Sequence, residues 1–208
     1  MKRNKFFSLP DAKPTPIEQA SVSGSFVSKY LLAHYQKVSS IKKELTRLPE
    51  AEEFFFLQSE KSFNAFTFIP VVLENQSAKH LLATTYSINK RVINALVELH
   101  QTGKVDEITL LVSDTMLSRN MMICDLLSTV NRQYANINVL FGWNHSKVCL
   151  IETKEANYII EGSGNWSENA SLEQYIFANS KGLFDFRMKL FTESEIRYRA
   201  INGEIVKS

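Results

Sequence analysis

Cysteine is scarce in this chain, and so are clustered histidines and long apolar runs. Only two of the 208 residues are cysteine. Both Cys124 and Cys149 stand in predicted buried elements. That excludes a disulfide scaffold and predicts two small core residues in a reducing compartment. The four histidines and two cysteines show no clustered spacing, so there is no zinc signature. No apolar run approaches a membrane span. The stretch behind the basic Met1-Lys2-Arg3-Asn4-Lys5 stops at Phe6-Phe7, too short for a signal peptide. Repeats and low-complexity tracts are lacking. Charge is nearly balanced at 24 Lys and Arg against 22 Asp and Glu, a net +2. That total neither requires nor excludes nucleic acid, because a basic groove can hide inside it. What remains is 44% hydrophobic and 22% charged, an ordinary soluble globular chain expected in the cytoplasm.

The pattern along the chain predicts two parts. Residues 1–75 hold a Pro-rich arm over 1–21, then an amphipathic helix capped by Ser23 or Ser25. Val27, Leu31, Tyr35, Val38, Ile41, Leu45 and Leu48 form its stripe, and Pro49 ends it. Phe54–Leu57 reads as a buried strand, Ser59–Ser62 as a turn and Phe63–Ile69 as a weak alternation towards Pro70. The aromatics there are read as core, with a subunit contact as the alternative. Residues 76–208 alternate strand and helix: a strand over 81–86, a helix from Ser87 or Asn89 to Gly103, and a strand over 108–112. A helix over 121–130 has Met121-Met122 in its core face, and a strand over 137–141 follows. This alternation predicts an α/β domain, a mixed sheet flanked by helices, with an N-terminal helical extension. A short helical turn over 167–172, a strand over 173–178 and a helix over 183–199 complete the prediction.

The chemistry concentrates between His145 and Asn165. His145-Ser146-Lys147 leads into the apolar Val148-Cys149-Leu150-Ile151 and then Glu152. Residues two apart on a strand share a face, so His145 and Lys147 are expected to project together. Asn157–Glu161 reads as the returning strand of a hairpin with its turn at 153–156. Gly162-Ser163-Gly164-Asn165 then comes back towards His145 and Lys147. An imidazole serves as nucleophile or acid/base near neutral pH. The Lys147 ammonium offsets phosphate charge, and Ser163 and Asn165 donate to oxygens where charge develops. Gly162 and Gly164 let backbone approach closely.

These residues resemble the phospholipase D superfamily, whose signature is His-x-Lys, four residues, Asp, then Gly-Ser-x-Asn. His145, Lys147, Gly162, Ser163 and Asn165 match it, and Glu152 stands in place of the Asp, an acid generally read as structural. The likeness covers roughly residues 75–200 and implies a phospholipase D-like fold. It also implies that Glu173 hydrogen-bonds the nucleophilic His, as an acid near this place does in small bacterial nucleases of the superfamily. Trp166 follows the motif directly; packing is its default and stacking on a base its second reading. Trp143 allows the same two. His34, His80 and His100 are read as structural. Lys181, Arg187 and Lys189 are read as a solvated face and not as a border of the cleft.

The resemblance implies that His145 attacks phosphorus to form a phosphohistidine, while a second His protonates the leaving oxygen. No metal or cofactor is needed. One motif supplies one histidine, so the implied solution is a homodimer with the site on its two-fold axis. The expected substrate is DNA or RNA, with phospholipid behind it and no membrane association. The alternatives are a non-catalytic nucleic-acid-binding module and an interaction protein using the Phe-rich segment.

Overall fold

Hydrogen bonding joins the predicted strands, and three that the pattern hides, into one ten-stranded sheet. The computed structural model describes residues 32–38, 40–60, 63–167 and 172–208. The strands are β1 (Leu32–Val38), β2 (Glu53–Ser59), β3 (Ala78–Thr85), β4 (Val105–Ser113), β5 (Ile137–Gly142), β6 (Val148–Thr153), β7 (Asn157–Gly162), β8 (Gln174–Asn179), β9 (Tyr198–Ile201) and β10 (Glu204–Lys207). The helices are α1 (Ile41–Glu44), α2 (Phe68–Val72), α3 (Lys90–Gln101), α4 (Met116–Arg119), α5 (Met121–Gln133) and α6 (Lys181–Thr192). The architecture is a mixed α/β sheet flanked by helices, in the order β1-β2-β8-β7-β6-β3-β4-β5-β9-β10. Among the described residues no helix is long and apolar enough to cross a membrane.

Parallel strands need crossovers, and helices supply them. β3, β4 and β5 run parallel, joined through α3 and α5. β4 lies between β3 and β5 and under α3, and it is buried without a break from Ile108 to Ser113. Alternate residues of one strand enter two cores. Leu81, Ile151 and Ile160 join the large core under α2, α3 and α5. Leu82, Leu150 and Ile159 join a smaller one closed by Phe184 of α6. Asn89 caps α3 by accepting from Val92 N at 3.0 Å, and Gly103 ends its last turn at φ +68°. Cys124 and Cys149 are both buried and free.

Several expectations are corrected. The stripe through Tyr35 and Val38 is not a helix: Leu32–Val38 is a strand, and only Ile41–Glu44 is helical. Without β1, β2 would be an open sheet edge, and parallel pairing from Leu32↔Glu53 to Val38↔Ser59 satisfies that edge. The predicted arm over 1–21, the Ser23 or Ser25 cap, Val27 and Leu31 lie outside the described residues. Phe63–Ile69 does not extend. Asn64 accepts from Phe66 N at 3.0 Å and starts a 3-10 turn that runs into α2. Phe54, Phe55, Phe68 and Ile69 are core, as expected. Met121 and Met122 are 67% and 79% exposed and not core, because the apolar stripe of α5 begins at Ile123. The last helix stops at Thr192, and a hairpin follows, turned by Asn202 and Gly203 at φ +52° and +88°. Asn-Gly between two short apolar runs is the signal for that turn. The helical turn expected over 167–172 falls partly outside the described residues.

Candidate active site

β3, β4, β5 and β7 end, and β6 and β8 begin, along one edge of the sheet. The motif gathers there. His145 and Lys147 stand in the segment just before β6, which begins at Val148. Their meeting therefore does not depend on a shared strand face. Asn144 fixes the segment: its Nδ2 donates at 3.2 Å to both Thr85 O and Leu111 O at the ends of β3 and β4. Its Oδ1 accepts from Ser146 N at 2.9 Å. Ser146 Oγ lies 2.8 Å from Thr84 Oγ1, which also accepts from Val148 N at 3.0 Å. These two buried or half-buried polar residues, Asn144 and Thr84, were missed by sequence reasoning. An Asn two residues ahead of a Ser is an Asx-turn signal that would have found the first.

Within that frame Lys147 folds back. Its Nζ donates to His145 O at 2.7 Å and lies 3.1 Å from His145 Nδ1. Lys147 is only 7% exposed. Burial pulls its pKa below the ordinary lysine value, against the opposing pull of the Glu173 carboxylate. His145 itself is exposed, with its ring on Tyr86, centroids 4.7 Å apart.

The second half of the motif arrives on β7. Gly162 N donates to Lys147 O at 3.2 Å. A Cβ at Gly162 would lie 2.2 Å from Gln174 O and 2.6 Å from Tyr175 Cδ1, so only glycine allows β8 this close. Ser163 donates its hydroxyl to Glu173 and accepts from Gln174 N at 3.1 Å. Glu173 is held in turn by Ser59 of β2, the two exchanging backbone and hydroxyl hydrogen bonds at 2.8 Å. Gly164 is buried and Asn165 half-buried.

Not every candidate takes its expected place or partner. Glu173 faces Ser163 and Lys147, and its hydrogen bond goes to Ser163 and not to His145. Glu152, next to last in β6, lies at the opposite end of that strand from the motif, 3.8 Å from Lys79 Nζ. Trp166 is fully buried, edge-on to Phe66 at 6.2 Å. Its placement is a packing one, which corrects the stacking reading. Its backbone ties the loop to β3 and the start of α3, donating to Ser87 O at 3.1 Å and accepting from Asn89 N at 3.2 Å. Trp143 is 78% exposed under the Arg197 guanidinium. His80 and His100 bond Thr109 and Val105 O, away from the motif. Among the described residues no three His, Cys, Asp or Glu side chains group to hold a metal ion.

A groove of about 730 Å³ opens beside Lys147, between β2, β8 and α6. Phe56, Val148, Tyr175 and Ile176 give it an apolar wall, and Gln58 and Arg187 add polar groups. Arg187 thus borders the cleft after all, held by Glu161 at 2.6 Å, which corrects the expectation of a solvated position. Lys181 and Lys189 form exposed pairs with Asp185 and Glu193.

No family model matches the chain, and no curated protein does. Among solved structures it is similar to a polyphosphate kinase from Porphyromonas gingivalis, at 17% identity and TM-score 0.39, over 60% of this chain and 19% of that one. It is also similar to a phosphatidylserine synthase from Haemophilus influenzae Rd KW20, at 11% identity and TM-score 0.46, over 67% of this chain and 38% of that one. The chain therefore spans well under half the length of either protein.

Proposed function

We propose that this chain is a metal-independent phosphodiesterase, a nuclease that works through a phosphohistidine in a homodimeric site. The observation that carries this reading is the convergence of His145, Lys147, Ser163 and Glu173 at one sheet edge. The two halves of the motif, separated in sequence, are joined there by the Gly162–Lys147 hydrogen bond. A nucleophile, a nearly buried ammonium and a hydroxyl tied to a carboxylate are the parts that phosphoryl transfer needs.

The steps follow from those residues. A protonated Lys147 can only donate to His145 Nδ1, which leaves the ring hydrogen on Nε2. Substrate draws the ammonium onto a non-bridging phosphate oxygen. A water molecule gives a proton to Nδ1 as another takes the hydrogen from Nε2, and Nε2 is then free to attack. A P–N bond forms while the P–O bond to the leaving group breaks. The leaving oxygen takes a proton from the partner copy of His145, which enters as imidazolium. That same ring then removes a proton from water, the hydroxide displaces His145 from phosphorus, and both rings return to their first states. Asn165 donates to the oxygens where charge accumulates, and Ser163 joins it by turning its one hydroxyl hydrogen from Glu173 to the phosphate.

The test is hydrolysis of bis(p-nitrophenyl) phosphate, single- and double-stranded DNA, RNA and phospholipid vesicles, all with EDTA present. The expected result is nucleic-acid cleavage that His145→Ala lowers by about 10³-fold or more, with a phosphorylated protein trapped on acid quench. Cleavage of vesicles alone would make it a lipid enzyme. Salt-sensitive DNA or RNA binding without cleavage would make it a binding module. Cleavage that EDTA abolishes would overturn the metal-free mechanism.

A further inference from the structure

His145 is not the last charged or aromatic group at its edge. Tyr86, the residue after β3, lays its ring against the imidazole at 4.7 Å and 46°. Arg119, the last residue of α4, stacks on the same tyrosine: its guanidinium carbon is 5.6 Å from the ring centroid. Its Nη1 also donates to the Tyr86 hydroxyl. Arg47, Arg187 and Arg197 each meet a carboxylate. Arg119 is exposed and has no ion pair among the described residues. A guanidinium held against a ring by one N–H keeps its remaining donors for an anion, in the fork that suits phosphate. The cation–π contact holds it in place without neutralising it.

His145 also meets Lys147, 3.1 Å from its Nδ1, which the proposed mechanism assigns to the phosphate under attack. Building on that reading, we infer that Arg119, carried on Tyr86, binds a second phosphate of the same substrate. The two stacked contacts in series put the guanidinium within reach of a phosphate one or two nucleotides from the one at His145. The substrate class is then a polynucleotide strand, whose phosphates recur along one chain, and not a headgroup with a single phosphodiester. The groove beside Lys147, where Phe56 and Ile176 offer apolar surface, takes the rest of the strand.

The experiment compares kcat/KM on a single-stranded oligonucleotide with kcat/KM on bis(p-nitrophenyl) phosphate, for wild type, Arg119→Ala and Arg119→Lys. Losing a charge-assisted hydrogen bond is expected to lower the oligonucleotide-to-small-substrate ratio about tenfold in Arg119→Ala, mainly through KM. The slope of log KM against log salt is expected to fall by about one. Arg119→Lys restores charge without the fork and is expected to recover part of the loss. An unchanged ratio, or an equal loss on both substrates, would show that Arg119 only supports Tyr86 and His145, and would overturn this inference alone. If the wild-type protein hydrolyses neither substrate, the phosphodiesterase reading fails and the inference falls with it.

Discussion

Lys147 is the residue whose position packing alone does not explain. Its side chain is nearly buried, its ammonium bonded to the backbone oxygen and ring nitrogen of His145. Burial disfavours the charged form, and its pKa falls accordingly. Between that lowered value and the ordinary one of 10.5, the unfolded chain holds more protons than the folded one. Stability therefore rises with pH through that window. Lys147→Met is expected to abolish most hydrolysis, by about 10²-fold or more. It is also expected to melt at or slightly above wild type at neutral pH, by up to about 1 kcal/mol. That advantage shrinks as pH rises towards 10.5. Thermal melts of both proteins from pH 7 to 10.5 check this, and a variant markedly less stable at pH 7 would show Lys147 to be a net stabiliser. At this scale the sequence was readable. His145, Lys147 and Ser163 were named by type and spacing. Asn144 and Thr84 were not, because a polar residue that positions another has no spacing of its own to betray it.

Among the elements, the β6–β7–β8 meander decides whether the site exists. Its register puts Glu161 opposite Val148 and Gly162 opposite Tyr175, which sets Ser163 against Glu173. Gly162 is where the pairing is tightest. Gly162→Ala would drive a methyl into Gln174 O, and it is expected to cost about 1–3 kcal/mol of stability. It should lower activity as well by moving Ser163. A urea midpoint unchanged from wild type would contradict the contact. The hairpin was legible because apolar runs flank a clear turn, and so was α3 with its Asn89 cap and single-sided stripe; α5 was legible as a helix, but its Asn120 cap was not read. β1 was not legible. Tyr35, Val38, Ile41 and Leu45 satisfy a helical spacing as well as any real helix, and what overrules it is the open edge of β2, a partner far from helical periodicity. β9 and β10 were lost for want of length; at four residues each they leave too little pattern, and only Asn202-Gly203 marked them.

For the molecule as a whole, the proposed chemistry needs a second imidazole, and among the described side chains no other histidine stands at the site. His80 and His100 are committed elsewhere. His145 is exposed, and the proposed dimer supplies the second ring as its own copy across a two-fold axis. Light scattering is expected to give twice the 23.8 kDa chain mass, and specific activity is expected to fall on dilution below the dimer dissociation constant. Mixing a His145→Ala chain with wild type should yield heterodimers lacking one of the two rings. A fully active monomer would remove the mechanism.

The sequence by itself determined which residues are candidates for chemistry, the Asn89 cap of α3 and the alternation of the second half, because each is written in local spacing and side-chain type. Only the tertiary structure decided that residues 32–38 are a strand, that Trp166 is core, that Arg187 lines a groove and that Arg119 stands on the tyrosine that faces His145. Each of those depends on which backbone edge or side chain lies across a long stretch of chain, and no local pattern records who the neighbour will be.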